Sequence, residues 1–208
     1  MRCLLFISYL LILTACSSSY KHLQKTQEDV SCIEKFKPDF SNALYYTEIN
    51  VTGKHLSGLL VIKLMPDGST RMVFANEAGF KFFDFEFAAN GNFKVFYIID
   101  AMNKKAVITT LRKDFEIIMM QQANRQHGYM SRNLDSGYNY YAFPQQKGFN
   151  YYITDTSCSK LIRLERASSK KAVVKIQMQD YINRLPDTIG ITHTNFSFDI
   201  GLKRLKKL

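Results

Sequence analysis

The chain has 208 residues, 46% of them hydrophobic and 13% aromatic, which is enough for a real core and fits one domain. Four cysteines are too few to define a disulfide scaffold, and no Cys-x-x-Cys or Cys/His spacing suggests zinc. The formal net charge of +10 raises two kinds of partner, nucleic acid or an anionic surface.

The first residues decide between those partners. Arg2 supplies a minimal positive start, and residues 4–12 are apolar and uncharged, which reads as a signal peptide. The run is too short for a spanning helix, which takes roughly 20 apolar residues, and three serines follow it rather than a basic stop-transfer patch. Leu13, Thr14, Ala15 and Cys16 resemble a bacterial lipobox. The resemblance implies cleavage before Cys16 and acyl chains on its thiol, which hold the protein on a membrane through about 0.8 kcal/mol per buried methylene. The expected organisation is therefore a lipoprotein signal peptide at 1–15, a lipidated cysteine and tether at 16–37, and one domain at 38–208.

A lipobox places the domain in the cell envelope, so the basic charge reads as an attraction to anionic head groups, and nucleic acid drops out as a partner. Residues 17–21 lack the acidic run that resembles a surface-export signal, so the domain is expected to face the periplasm; the outer membrane is the expected location, though these residues do not choose between inner and outer membrane. Cys3 leaves with the signal and Cys16 is acylated, so Cys32 and Cys158 remain, as a bridge or as two thiols.

Along the chain, residues 17–37 are polar, with one helical turn expected around 28–36, and Pro38 closes them. Period-two alternation then predicts strands at 44–51, 56–65, 70–76, 80–87 and 93–99, separated by turn residues such as Pro66, Asp67, Gly68 and Asn90, Gly91. From 104 to 121 the period changes. Val107, Ile108, Leu111, Phe115, Ile118 and Met119 recur at helical spacing, with Lys105, Arg112, Lys113 and Glu116 mostly opposite. Strands resume at 137–143, 148–154, 160–166, 171–178, 188–193 and 195–202.

Eleven strands and one amphipathic helix make an α+β, mainly β chain: a strongly curved antiparallel sheet, an incomplete β-barrel, with the helix covering it. Residues 171–178 and 196–202 have one wet face, whereas Leu59 to Met65 are apolar on both, so the first half of the sheet should be covered on two sides. The simplest arrangement lines the concave side with Leu60, Ile62, Phe74, Phe83, Phe85 and Phe87 and sets Leu111 and Phe115 of the helix over them. Those eight residues would wall an apolar ligand cavity, or else fill a solid core.

This order of elements resembles the bacterial lipoprotein carrier and outer-membrane lipoprotein receptor family over about 39–208. Two segments carry the resemblance: Gly58, Leu59, Leu60, Val61, Ile62, Lys63 leading to Arg71, Met72, Val73, Phe74, and Leu185, Pro186, Asp187 followed by Ile189, Ile191 and the 196–202 strand. It implies an incomplete barrel around a cavity that takes acyl chains of lipid or lipoprotein, with no cofactor and no catalysis. The chain departs from the family in having no residue that aligns with the receptor's protruding apolar loop residue. Two alternatives stand beside this reading: a structural or interaction subunit of an envelope complex, and a surface carbohydrate-binding lipoprotein using Tyr138, Tyr140, Tyr141, Phe143, Phe149, Tyr151 and Tyr152.

Enzyme chemistry finds little support. Asp84 and Glu86 share a strand face about 7 Å apart, a spacing usable on a glycoside, but a solvated face opposite a phenylalanine ladder explains them. His22, His55, His127 and His193 are scattered, and no nucleophile elbow, phosphate loop, zinc motif or dinucleotide fingerprint appears.

Overall fold

The computed structural model describes residues 18–27, 29–51, 53–121 and 128–205. Thirteen strands form one antiparallel sheet: β1 Leu23–Lys25, β2 Asn42–Val51, β3 Lys54–Leu64, β4 Thr70–Ala75, β5 Lys81–Phe87, β6 Phe93–Ile98, β7 Tyr129–Asn133, β8 Asn139–Pro144, β9 Phe149–Thr154, β10 Leu161–Ala167, β11 Ala172–Gln179, β12 Thr188–His193 and β13 Phe198–Arg204. A 3-10 helix spans Ser31–Phe36, and the helix α1 spans Lys105–Ile118. The sheet order is β1-β7-β8-β9-β10-β11-β12-β13-β2-β3-β4-β5-β6, so β1 and β6 are its edges and the barrel is not closed.

The sheet wraps around α1. Phe115 meets Phe83 and Phe87 of β5 with ring centroids 5.9 and 6.3 Å apart, while the Tyr152 hydroxyl of β9 donates to the Ile117 carbonyl at 3.4 Å. Strands β5 and β9 lie eight steps apart in the sheet order, about 38 Å across a flat sheet at 4.8 Å per strand. A helix only about 10–12 Å wide reaches both because the sheet curls round it. Alternation along the strands then gives the core: in β2 and β11 every second residue is buried, and these inward faces merge into one cluster with Leu111, Phe115, Ile117 and Ile118.

The helix forms where the 3.6-residue stripe predicts it and stops in a Schellman-type end. Met120 takes a left-handed backbone (φ 55), its N–H donates to the Ile117 carbonyl at 3.1 Å, and the Gln121 N–H donates to the Glu116 carbonyl at 3.3 Å. A buried ionic group fastens the helix to the sheet. Arg166 Nη1 on β10 donates to Asp114 Oδ1 at 3.0 Å, and His193 Nε2 on β12 faces Asp114 Oδ2 at 3.1 Å, too poorly aligned for a hydrogen bond. The other ring nitrogen of His193 donates to the Phe198 carbonyl at 2.7 Å, and the ring stacks on Phe198.

Three features differ from the sequence expectation. The segment expected as a tether at 16–37 is built into the domain over its described part: β1 pairs with β7, Tyr20 packs on Tyr151, and Cys32 is bonded to Cys158. Strands β1 and β7 were not predicted, because three residues in a polar stretch and the weakly alternating 129–133 carry no local signal and form only by pairing with each other and with β8. The first half of the sheet is covered on one side only. Val61 is 39% exposed opposite half-buried Val73, so that outer face is shielded by cross-strand contact rather than by a second layer.

Candidate functional site

All eight residues expected to line a cavity come together, but as packed core. Leu60, Ile62, Phe74, Phe83, Phe85, Phe87, Leu111 and Phe115 are each buried in one cluster, with Phe83 stacked on Phe85 at 4.4 Å. The helix expected as a lid fills the space between these strands: Leu111 and Phe115 have no solvent exposure at all. Open volume lies elsewhere, at a split in the sheet.

The ladder between β10 and β11 runs from Leu164↔Ile176 to Ala167↔Ala172 and goes no further. The first residues of β10 pair only with β9, through a register shift between Leu161 and Arg163, while the last residues of β11 continue to pair only with β12, down to Gln179↔Thr188. An irregularity of this kind bends a strand away from its neighbour, and here it parts the two lips. Between them lies a cleft of 840 Å³, within the usual range for small-molecule sites. Its apolar walls are Phe36, Leu161, Ile162, Met178 and Tyr181; its charged groups are Lys35, Lys160, Arg184 and a single carboxylate, Asp180.

Each lip is held by a defined device. In the β9–β10 turn the Asp155 carboxylate accepts from Ser157 Oγ at 2.9 Å, from Ser159 Oγ and from the Lys160 N–H at 2.9 Å. Those donors, the Ser159 hydroxyl foremost, push the Asp155 carboxyl down to about 2, so the turn keeps its shape across ordinary pH. On the other lip, Asn183 and Arg184 both have positive φ between the bridged pair Ile182 and Leu185, the geometry of a tight type I′ turn. Arg204 braces that loop by donating to the Ile182 carbonyl at 3.1 Å and to Asp187 Oδ1 at 3.2 Å, and Tyr45 donates to the Pro186 carbonyl at 2.8 Å.

The Ser31–Phe36 helix straps the two lips together. Cys32 is bonded to Cys158 of the first lip, with Cα atoms 6.4 Å apart. Tyr181 of the second lip donates its hydroxyl to the Phe36 carbonyl at 3.1 Å, and burial pushes that phenol up, so it stays a donor. The Asp39 N–H then donates to the Arg184 carbonyl at 3.1 Å. Ile33 is buried in the main core, which seats the strap.

The other candidates fall as follows. Asp84 is buried, not solvated: Arg71 Nε donates to one of its oxygens at 2.5 Å and Lys81 Nζ to the other at 2.8 Å, while Arg71 also reaches Glu86 at 3.4 Å. Burial opposes the charged form of Asp84, and Arg71 and Lys81 outweigh it, holding the carboxyl below the usual range. The aromatic group divides between the two faces of the sheet. Tyr141, Phe143 and Tyr152 belong to the main core; Tyr140 and Tyr151 are covered by Tyr20, whose hydroxyl donates to Glu165 at 2.7 Å. Among the described residues no group of three His, Cys, Asp or Glu side chains is placed to hold a metal. Cys16, His127 and the apolar start of the chain lie outside the described residues.

Sequence reasoning missed the cleft and the Asp114 group. The cleft leaves no periodic trace. Asp114 does, since it sits beside Phe115 within the apolar stripe of α1.

Both hairpins that carry the family resemblance are present, as the β3–β4 and β12–β13 pairs. No family model matches the chain, and no curated protein matches it. Among solved structures it is similar to a DUF1329 family protein from Desulfovibrio piger, at 11% sequence identity and a TM-score of 0.42, over 80% of this chain and 84% of that one. So distant a likeness says nothing about activity.

Proposed function

We propose that the protein is a membrane-anchored, non-catalytic binder of amphiphiles. The site is the split between β10 and β11: an acyl chain lies along Phe36, Leu161, Ile162 and Met178, and an anionic head group lies against Lys35, Lys160 and Arg184. One observation supports this above the others: the sheet is parted, and held parted, over an apolar surface ringed by three cations and one acid. Burial of the chain drives binding at about 25 cal/mol per Å² of apolar surface, and the cations set the preference for the head group. Acylation of Cys16, with the domain facing the periplasm from the outer membrane, belongs to the same reading. It shares the kind of ligand with the lipoprotein carrier and receptor family but moves the site from the interior, which α1 fills, to the cleft.

Native mass spectrometry with lipid extraction tests this on the chain starting at Ser17, made in a bacterial periplasm. The expected result is a co-purifying acyl species that is lost in Ile162→Asp, a change on a half-buried wall, with the melting temperature checked alongside, and that loses its anionic members in Lys160→Ala/Arg184→Ala. A clean ligand-free mass contradicts it.

The interaction-subunit reading has one observation in its favour. The edge strand β6 leaves Phe96 and Tyr97 45% and 42% exposed, and its free backbone groups suit an added strand. A crosslink from Tyr97 to a second envelope protein, with no lipid in the mass spectrum, would favour that reading.

A further inference from the structure

Residues 18 and 19 pin the start of the described chain to one end of the sheet. Ser18 Oγ donates to the Ser169 carbonyl at 3.1 Å, and the Ser19 N–H donates to the Lys170 carbonyl at 2.8 Å. Both acceptors lie in the β10–β11 turn. Only two residues of chain separate Ser18 from Cys16, a reach of at most about 8 Å at 3.8 Å per residue. A chain acylated there has no free leash: the anchor and the β10–β11 turn reach the bilayer together.

Four successive hairpin turns share that end. The pairs Phe149↔Ala167, Val174↔His193 and Phe198↔Val51 set the turns at 145–148, 168–171, 194–197 and at Gly53 side by side along the sheet. They and the strand start just after the last of them present Lys54, Lys147, Lys170 and Lys171 to solvent, together with Phe196, 44% exposed, and no aspartate or glutamate. The turns at the opposite end of the same strands carry Asp67, Asp135, Asp155, Asp180 and Asp187. Acids therefore concentrate at the far end, beside Lys160 and Arg184, while the four turns nearest the anchor carry lysines alone; the next turn at that end, 76–80, adds Glu77.

We propose that this four-turn end is a bilayer-docking surface, in which Lys54, Lys147, Lys170 and Lys171 lie among anionic head groups and Phe196 enters the interface. The proposal rests on the anchored reading above and deepens it. An aromatic ring at head-group depth flanked by lysines is the usual chemistry of an interfacial contact. The docked orientation has a consequence for the site. The cleft opens at the far end of β10, a strand of seven residues and thus about 20 Å long, so it faces away from the anchoring membrane. An amphiphile is then taken from the compartment and not drawn directly out of the bilayer beneath.

The test uses the chain starting at Ser17, which holds every described element, with vesicles of phosphatidylcholine alone or with about one third phosphatidylglycerol. The protein has no tryptophan, so Phe196→Trp is a single reporter. Its emission should shift to the blue and be quenched by brominated lipid only on anionic vesicles, while Leu134→Trp, at an exposed position of the β7–β8 turn at the opposite end, should keep its aqueous emission. Lys170→Ala/Lys171→Ala should weaken flotation about 25-fold, at roughly fivefold per lysine, and Lys63→Ala/Lys203→Ala, at the other ends of β3 and β13, should leave it unchanged. Equal shifts at both reporters, binding indifferent to phosphatidylglycerol, or equal losses in the two lysine pairs would overturn the proposal. Acylation is read separately from the mass of the N-terminal peptide of the natural protein: a bare Cys16 with vesicle binding intact removes the anchor and leaves the surface.

Discussion

Removing the Cys32–Cys158 bond should be the most costly single change that leaves every packed side chain in place. The bond closes a loop across a sequence separation of 126 residues, and constraining the unfolded chain over such a loop contributes about 5 kcal/mol by chain entropy. For a domain of this size each kcal/mol moves the melting temperature by about 2–4 °C, so Cys32→Ser/Cys158→Ser should melt roughly 10–20 °C below the natural protein. Full reduction of the natural protein should reproduce that loss, and reductant should not move the variant. The strap would also loosen locally, left to Tyr181, the Asp39–Arg184 backbone bond and the buried Val30 and Ile33. Hydrogen exchange should therefore rise at 31–36 and 158–162 before it rises in α1. Thermal melts with thiol counting provide the assay. A fully reduced protein that melts within about 1 kcal/mol of the oxidised one would refute the argument.

Asp114→Ala should destabilise by about 3–5 kcal/mol in denaturant titration, because it strands Arg166 and His193 beneath α1 without their shared anion. A loss below about 1 kcal/mol would show that α1 is held by its apolar stripe alone. Asp84 supplies a pH dependence with a definite sign. Its carboxyl is held below the usual range, so its share of stability is present above the ordinary carboxylate value near 4 and is lost as pH falls through the lower folded value. The melting difference between the natural protein and Asp84→Asn should accordingly be visible at neutral pH and vanish in acid; a difference that persists unchanged at the acid end would contradict the ion pairs with Arg71 and Lys81.

The elements with two or more strong local signals could be read from the sequence. The helix at 105–118 falls inside the expected 104–121, and the strand pairs flanking Pro66–Gly68 and Asn90–Gly91 lie where alternation and turn residues agree. The inward set Leu60, Ile62, Phe74, Phe83, Phe85 and Phe87 was legible too, because a period of two assigns faces directly. What those side chains do inside was not. Alternation cannot tell a lined cavity from a core, and it took the position of α1 to show that Phe115 stands where a ligand would. The cleft was further out of reach. It arises where β10 leaves β11 near Ile162, and its walls include Lys35 and Phe36, brought from more than a hundred residues away by a disulfide whose pairing the spacing left open. Strands β1 and β7 stabilise one another across the chain in the same non-local way.

Photocrosslinking reads directly where an acyl chain sits in the protein. A fatty acid bearing a diazirine near its methyl end, bound to the chain starting at Ser17 and activated, should label peptides containing 35–36, 159–162 and 177–184. Label on Leu60, Phe74, Phe83, Phe85 or Phe115 would place the ligand in the interior and require α1 to leave it, and a probe that labels nothing above the level seen with Ile162→Asp would remove lipid binding from the account.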